Sequence, residues 1–235
     1  MTWPRLSVSD YPEMLRKLSF SALVVAIACT SLIRAYIPLV DQWLAHLDAA
    51  TPPLEAIASI KIPFGTFVVG LCAALISESV RLHDKISSAL GIRATFDTRW
   101  ILIPLALLSG ATLDRVKFGR IASDRTRLMD DVFYKYASSG KQADIDKHLI
   151  TQALTAWSWY WLCVESNLLL ILTAIVAAVF SNWALTAGLL AVVILLTFLM
   201  RVFRADASDY AGAEVNAILE EPARRTNVKA VFDAL

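Results

Sequence analysis

Two apolar runs, Leu162 to Phe180 and Trp183 to Met200, stand almost back to back, with only Ser181 and Asn182 between them. Each is long enough to cross a hydrocarbon core of about 30 Å as a helix, so together they predict a transmembrane hairpin. Glu165 and Asn167 interrupt the first run. Composition points the same way, because 57% hydrophobic residues against 18% charged is richer in apolar groups than a soluble domain of this size needs. The cysteines Cys29, Cys72 and Cys163 all fall inside apolar runs, where a thiol serves as a small hydrophobe and no metal-ligand spacing exists.

Two further spans are predicted upstream. Leu18 to Ile33, extendable through Arg34 to Val40, follows Arg16 and Lys17 and forms the first. A cleaved signal peptide is the competing reading, but Asp10 and Glu13 sit where its leader should be basic, and Ala26 stands where a lipoprotein site has leucine. Asp10, Pro12 and Glu13 instead spell a helix start, with an N-cap, a first-turn proline and a capping-box glutamate. Between the spans, Trp43, Leu44 and Leu47 mark a small interfacial helix that ends at Thr51-Pro52-Pro53. The second span runs from Ile62 to Ile76, and its helical pattern continues past Glu78 through Leu82, Ile86 and Leu90 to a stop at Gly91. That length makes about 43 Å of helix, so its last turns must leave the lipid.

Trp100 to Leu113 is apolar but short, reaching about 21 Å, and contains Pro104 and Gly110. It reads as interfacial, re-entrant or protein-buried rather than as a crossing, with Asp97 as a candidate cap. Charge decides the topology. With four spans, Arg34 and Lys61 are the only basic residues on the outer side, whereas a fifth span would divide the remainder across the membrane. The expected fold is therefore all-α: a four-helix transmembrane bundle with a cytoplasmic helical layer. Residues 1–80 and 157–200 form the two hairpins, with spans at about 18–40, 62–80, 161–180 and 183–200; residues 81–156 and 201–235 are cytoplasmic. Within that layer Leu113, Val116, Ile121, Leu128, Val132 and Tyr136 form an amphipathic stripe. Ser138 to Lys141 breaks the pattern, and Ile145, Leu149, Ala153 and Leu154 start another that leads into the third span. A carboxyl helix spans about Ala205 to Leu219 and stops at Pro222, after which the tail either docks or stays loose.

Polar groups within apolar spans are the first functional candidates, since a charge in hydrocarbon costs about 2.5 to 3.5 kcal/mol even on a lenient scale. They are Arg34, Glu78, Glu165 and Asn167. Arg34 lies near the outer boundary and is expected to snorkel; Glu78 sits where its helix leaves the lipid. Glu165 follows the aromatic belt of Trp157, Trp159, Tyr160 and Trp161 and has Arg93 or Arg99 as candidate partners, with headgroup contact or a hydrated passage as alternatives. Asn167, two positions on, points to another face. The second group is the basic set Arg115, Lys117, Arg120, Arg125 and Arg127, in a segment with twelve basic and eight acidic residues. It suits anionic lipid or an acidic face of a soluble partner; interspersed aspartates and the lack of any stacking motif disfavour nucleic acid.

Catalytic chemistry finds no foothold. His46, His83 and His148 are far apart, His83-Asp84 reads as a surface dipeptide, and no phosphate loop or nucleophile elbow is present, so no cofactor or metal is expected. Gly65, Gly70, Ala73 and Ala74, with Ala174, Ala177, Ala178, Ala184, Ala187 and Gly188, offer small surfaces for helix packing within one chain or between copies. The expectation is a non-enzymatic, homo-oligomeric protein of the bacterial inner membrane, both termini cytoplasmic, that anchors or signals to a soluble partner. The alternatives are a pore or membrane-disrupting effector, as in a bacterial defence system, and a small-solute transporter, for which no inverted repeat is visible.

Overall fold

The computed structural model describes residues 7–49, 54–55, 61–137 and 144–235. These residues are mostly helical, joined by short turns and by a ladder of two residues a side, in which β1 (Leu54–Glu55) pairs antiparallel with β2 (Lys61–Ile62). The prolines at 52 and 53 and the break at 138–141 lie outside the described residues. The chain divides into two compact units. An apolar unit takes Leu15–His83 and Trp159–Arg201; a polar unit takes the described residues up to Met14, Asp84–Ser158 and Val202–Leu235.

Helix α1 (Tyr11–Tyr36) begins as its sequence dictates. The Asp10 carboxylate accepts the Glu13 backbone N–H at 2.7 Å, and the Glu13 carboxylate accepts the Ser9 N–H at 2.7 Å, so orphan donors of the first turn are satisfied. Ile37 interrupts the helix, and Pro38, which has no N–H to lose, opens α2 (Pro38–Ala49). Helix α2 buries none of its residues, and Trp43 and Leu47 remain exposed, as an interfacial helix requires. Helix α3 (Phe64–Val80) does not continue straight: Arg81 adopts a left-handed conformation, φ 48°, and α4 (Leu82–Leu90) leaves at a bend of 60°. The straight 62–90 helix expected from periodicity is thus corrected to a broken one. Arg81 caps α3 by donating its N–H to the Glu78 carbonyl at 3.2 Å. Gly91 ends α4 at φ 62°, as expected.

Helix α5 (Ile92–Phe96) runs through a π-helical turn at Asp97–Leu102 into α6 (Ile103–Ser109). Asp97 is therefore inside a helix and does not cap one. The physical reason is Pro104, whose ring would clash with the carbonyl four residues back in a regular helix; the π turn widens the coil ahead of it, and the Ile103 N–H reaches five residues back to the Thr98 carbonyl. Gly110 then closes α6 at φ 85°, with Gly110 N–H to Leu107 O and Ala111 N–H to Ala106 O at 3.1 Å, the paired bonds of a Schellman cap. The next helical stretch is α7 (Arg115–Ser123), α8 (Arg125–Leu128), a second π turn at Met129–Tyr134, and α9 (Lys135–Ala137). Asp114 caps α7, its carboxylate accepting the Lys117 N–H at 2.8 Å.

Helix α10 (Lys147–Val179) is unbroken over 33 residues, and α11 (Trp183–Glu220) over 38, about 57 Å of helix. The separate carboxyl helix read from the sequence is the second half of α11, because nothing between Met200 and Ala205 breaks a helix. A left-handed Ser181, φ 58°, turns the hairpin, and Asn182 caps α11 by accepting the Leu185 N–H at 3.1 Å. Pro222 does not merely stop a helix; it opens α12 (Pro222–Asp233) at N1. The tail is docked, with Val228 and Phe232 fully buried.

Each unit has its own core. In the polar unit Phe96, Leu102, Leu105, Ile121, Leu128, Met129, Val132, Val215, Ile218 and Phe232 are sealed together, so the short apolar segment near Pro104 is protein-buried along one face. Val116, placed on the apolar stripe by its spacing, is 63% exposed because α7 and α8 meet at a break instead of forming one helix. In the apolar unit Cys29, Leu170, Ala174, Ala177 and Leu189 knit α1, α10 and α11. Gly70 lets α3 press on α1: a Cβ there would meet Ile27 Cγ1 at 2.6 Å and the Leu23 carbonyl at 3.1 Å. Helices α1, α10 and α11 are each long and apolar enough to cross a membrane, and α3 with α4 adds a fourth if the bent pair counts as one span.

Candidate functional site

The apolar unit buries a carboxylate. Glu165, on α10, is 3% exposed, and the Ser77 hydroxyl on α3 donates to its Oε2 at 2.8 Å. Its Oε1 accepts no hydrogen bond and faces His83 Nδ1 at 3.9 Å. His83 is itself buried, its ring edge-on to Trp161 with centroids 6.0 Å apart. Local sequence explains the meeting. On a straight helix His83 would be carried past Glu165, but the left-handed Arg81 between Ser77 and His83 turns the chain so that residues on both sides of the break reach one carboxylate.

Several expectations are corrected at this point. The partners of Glu165 are Ser77 and His83, not Arg93 or Arg99, and His83 is no surface residue. Of the aromatic segment, Tyr160 and Trp161 are buried, Trp159 is half-buried, and Trp157, also half-buried, packs on Phe96 with ring centroids 4.4 Å apart. Asn167 does point elsewhere, toward α11, where its Nδ2 donates to Thr197 Oγ1 at 3.2 Å and approaches Met200 Sδ at 3.3 Å; its Oδ1 has no partner.

Arg34 does not snorkel. Its guanidinium is gathered inward by Asp41 at 2.7 Å, Asp48 at 2.6 Å and the fully buried Thr66 hydroxyl at 3.2 Å. Asp48 also accepts the Gly65 N–H at 2.7 Å, so one carboxylate ties the end of α1 to the start of α3. The Arg34 guanidinium holds the Asp48 carboxyl below the usual range. Glu78 is exposed and contributes only its carbonyl, as acceptor to Arg81.

In the polar unit the basic set is largely consumed by the protein itself. Lys117 Nζ donates to the Phe232 and Asp233 carbonyls at 3.1 Å and Arg120 to the Leu235 carbonyl, pinning α12. Arg125 is ion-paired with Asp97, and Arg127 bridges Asp124 at 2.9 Å and Asp131 at 3.6 Å. Arg115 is exposed. The five cations are therefore not one free docking face. Asp97, 4% exposed inside its π turn, is flanked by Arg125 and by Arg93, which lies 3.8 Å away and also donates to Tyr134 Oη at 2.9 Å. Burial pushes the Asp97 carboxyl up while both arginines oppose it. Glu214, on the polar half of α11 and 5% exposed, is pushed up to about 8 by burial.

Among the described residues no three His, Cys, Asp or Glu side chains converge as a metal ion would need. Ser77 and Glu214 escaped the sequence reading, which took His83 for a surface residue and Asp97 for a helix cap. A serine in an apolar helix carries no charge signal, and the other three become buried only through a helix break or a partner helix distant in sequence. No curated protein and no solved structure matches the chain. A family model matches residues 10–233, nearly the whole sequence, and the chain belongs to the YmfE protein family.

Proposed function

We propose that this chain is an integral membrane protein with four passes and both termini in the bacterial cytoplasm, associating with copies of itself and offering its polar unit to a soluble partner. The observation that carries the reading is the coverage of α11. Half of the apolar window of α10 is buried by the rest of the chain, against 6% of that of α11. Leu190, Ile194, Leu195 and Phe198 are left exposed on it, an apolar surface that water does not tolerate and that lipid or a second copy would cover. The polar unit supports the partner role by having its own hydrophobic core. The role proposed is a non-enzymatic one.

The test is mild detergent extraction of the full chain with Ile194→Cys in a background lacking Cys29, Cys72 and Cys163. Disulfide-linked dimers on oxidation, and a soluble protein that co-elutes stoichiometrically, are expected. Monomer alone, with no companion, sinks the reading. A conducting pore is the second reading, favoured by the buried Glu165 and Asn167, each with an oxygen lacking a hydrogen bond. Ion flux from liposomes holding the purified chain would select it.

A further inference from the structure

Helix α6 and the π turn leading into it give one face to the core of the polar unit and turn the other away from it. Ile101, Leu102, Leu105 and Ala106 are buried, whereas Ile103 and Pro104 are half-buried and Trp100, Leu107 and Leu108 are exposed. The two sets alternate with the four-residue spacing of a helix, so the outward side chains from Trp100 to Leu108 form one stripe, and all of them are apolar. Charge at the rim of the stripe has a single sign. Asp97 is the only acidic residue between Gly91 and Ala111, and it is 4% exposed and ion-paired with Arg125; the exposed charges of that stretch are Arg93 and Arg99. The Arg99 guanidinium stands over the Trp100 ring, 5.4 Å from its centroid. At the other end Leu108 borders a groove of about 590 Å³ whose walls include Asn216, Glu220 and Arg225, so the apolar face stops at a polar edge.

We infer that this stripe is a lipid-contact face of the polar unit, lying at the boundary between phospholipid headgroups and acyl chains, with Arg99 meeting phosphate. Three features select phospholipid over a protein. Apart from the indole N–H, the stripe turns no hydrogen-bonding side chain outward, and so lacks the polar contacts that fix register in a protein interface. Its rim offers cations without an exposed anion, which complements phosphate. Trp100 with Arg99 over its ring joins an apolar body to a charged tip, the combination that the boundary between hydrocarbon and water favours. The short apolar segment thus has protein on its inner face and lipid on its outer one. The inference rests on the reading of the chain as a membrane protein, and needs neither self-association nor a soluble partner.

The test uses the full chain without Cys29, Cys72 and Cys163, carrying a single nitroxide at Leu107→Cys or Leu108→Cys. It is reconstituted alone in vesicles of equal parts phosphatidylcholine and phosphatidylglycerol, with helicity recorded for every variant. Oxygen, which concentrates among acyl chains, and a neutral nickel chelate, which stays in water, each relax a nitroxide that they can reach; Ile194→Cys on α11 gives the lipid reference. Relaxation by oxygen with loss of relaxation by nickel is expected at both positions. Nickel relaxation there, with Ile194→Cys shielded, overturns the proposal and leaves the membrane reading standing, whereas nickel relaxation at all three removes the membrane reading and the proposal together. Shielding with spin–spin broadening that vanishes on dilution into unlabelled chain means that a second copy covers the face, and also overturns it. Arg99→Glu combined with Leu108→Cys is expected to bring nickel relaxation back, because a carboxylate at the rim is repelled by phosphate. Unchanged shielding in a folded Arg99→Glu overturns the pairing of cation with headgroup, and the proposal with it.

Discussion

Glu214 shows how one side chain can make stability depend on pH. Burial pushes its carboxyl up to about 8 from an ordinary 4.5, so the folded protein favours the protonated form. Below the unfolded value both states are protonated and the contribution is fully present; as pH rises toward 8 the unfolded chain releases the proton first and stability falls, levelling above that point. Asp97, also pushed up by burial, acts in the same direction. Glu214→Gln is expected to flatten the profile and to gain on the order of 4 kcal/mol at pH 9 over parent, read as thermal unfolding of the polar unit at pH 5 and 9. Parallel profiles for the two proteins would contradict this. Arg34 makes the opposite case: Arg34→Met leaves the half-buried Asp48 on the Gly65 N–H without its cation, and a loss of about 2 kcal/mol is expected, discounted for the partial exposure of both aspartates. Arg34, Glu165 and Asn167 were legible as candidates because a charge or amide stands out against apolar neighbours. Their partners were not, since Asp48, Ser77, His83 and Thr197 approach from other helices.

Helices are the level at which periodicity speaks most reliably, and here it gave the starts of α1 and α10 and the stop at Gly91 while missing the break at Arg81. That miss has a physical reason: arginine is a good helix former, and nothing local announces a left-handed residue. Such a conformation costs an L-residue about 1 to 2 kcal/mol, so Arg81→Gly is expected to stabilise the protein by about 1 kcal/mol without changing its helix content. A destabilised Arg81→Gly would mean that the side chain itself holds the turn. Packing between helices gives a paired prediction. Gly70→Ala forces its new methyl to within 2.6 Å of Ile27 Cγ1 and close to the Leu23 carbonyl, and should cost about 1 to 3 kcal/mol. Gly188→Ala meets nothing within 4 Å and should gain up to about 1 kcal/mol from helix propensity. Both glycines read alike in the sequence as small-residue surfaces; only the partner helix separates them. Equal Tm changes for the two would show that α3 and α1 are not pressed together at Gly70.

For the whole chain, the deciding quantity is whether the number of crossings is even. Hydropathy alone leaves Trp100 to Leu113 open, whereas packing uses its side chains: Leu102, Leu105 and Ala106 are fully buried in the polar unit's core, and of its large apolar side chains Trp100, Leu107 and Leu108 face outward. A segment whose inner face is already spent on protein, and whose π turn holds a charged Asp97, is poorly suited to lipid on all sides. The charge asymmetry read from the sequence leads to the same parity by an independent route, because it depends on where Lys and Arg lie and not on packing. Four crossings put Ser7 and Ala234 together and Gln42, exposed on α2, opposite them. In a background without Cys29, Cys72 and Cys163, Ser7→Cys and Ala234→Cys should resist a membrane-impermeant maleimide in intact cells and react in inverted vesicles, while Gln42→Cys should do the reverse. Ser7→Cys and Ala234→Cys labelling from opposite faces would require an odd number of crossings, and would reassign the α5–α6 stretch, its π turn and its aspartate to the membrane interior.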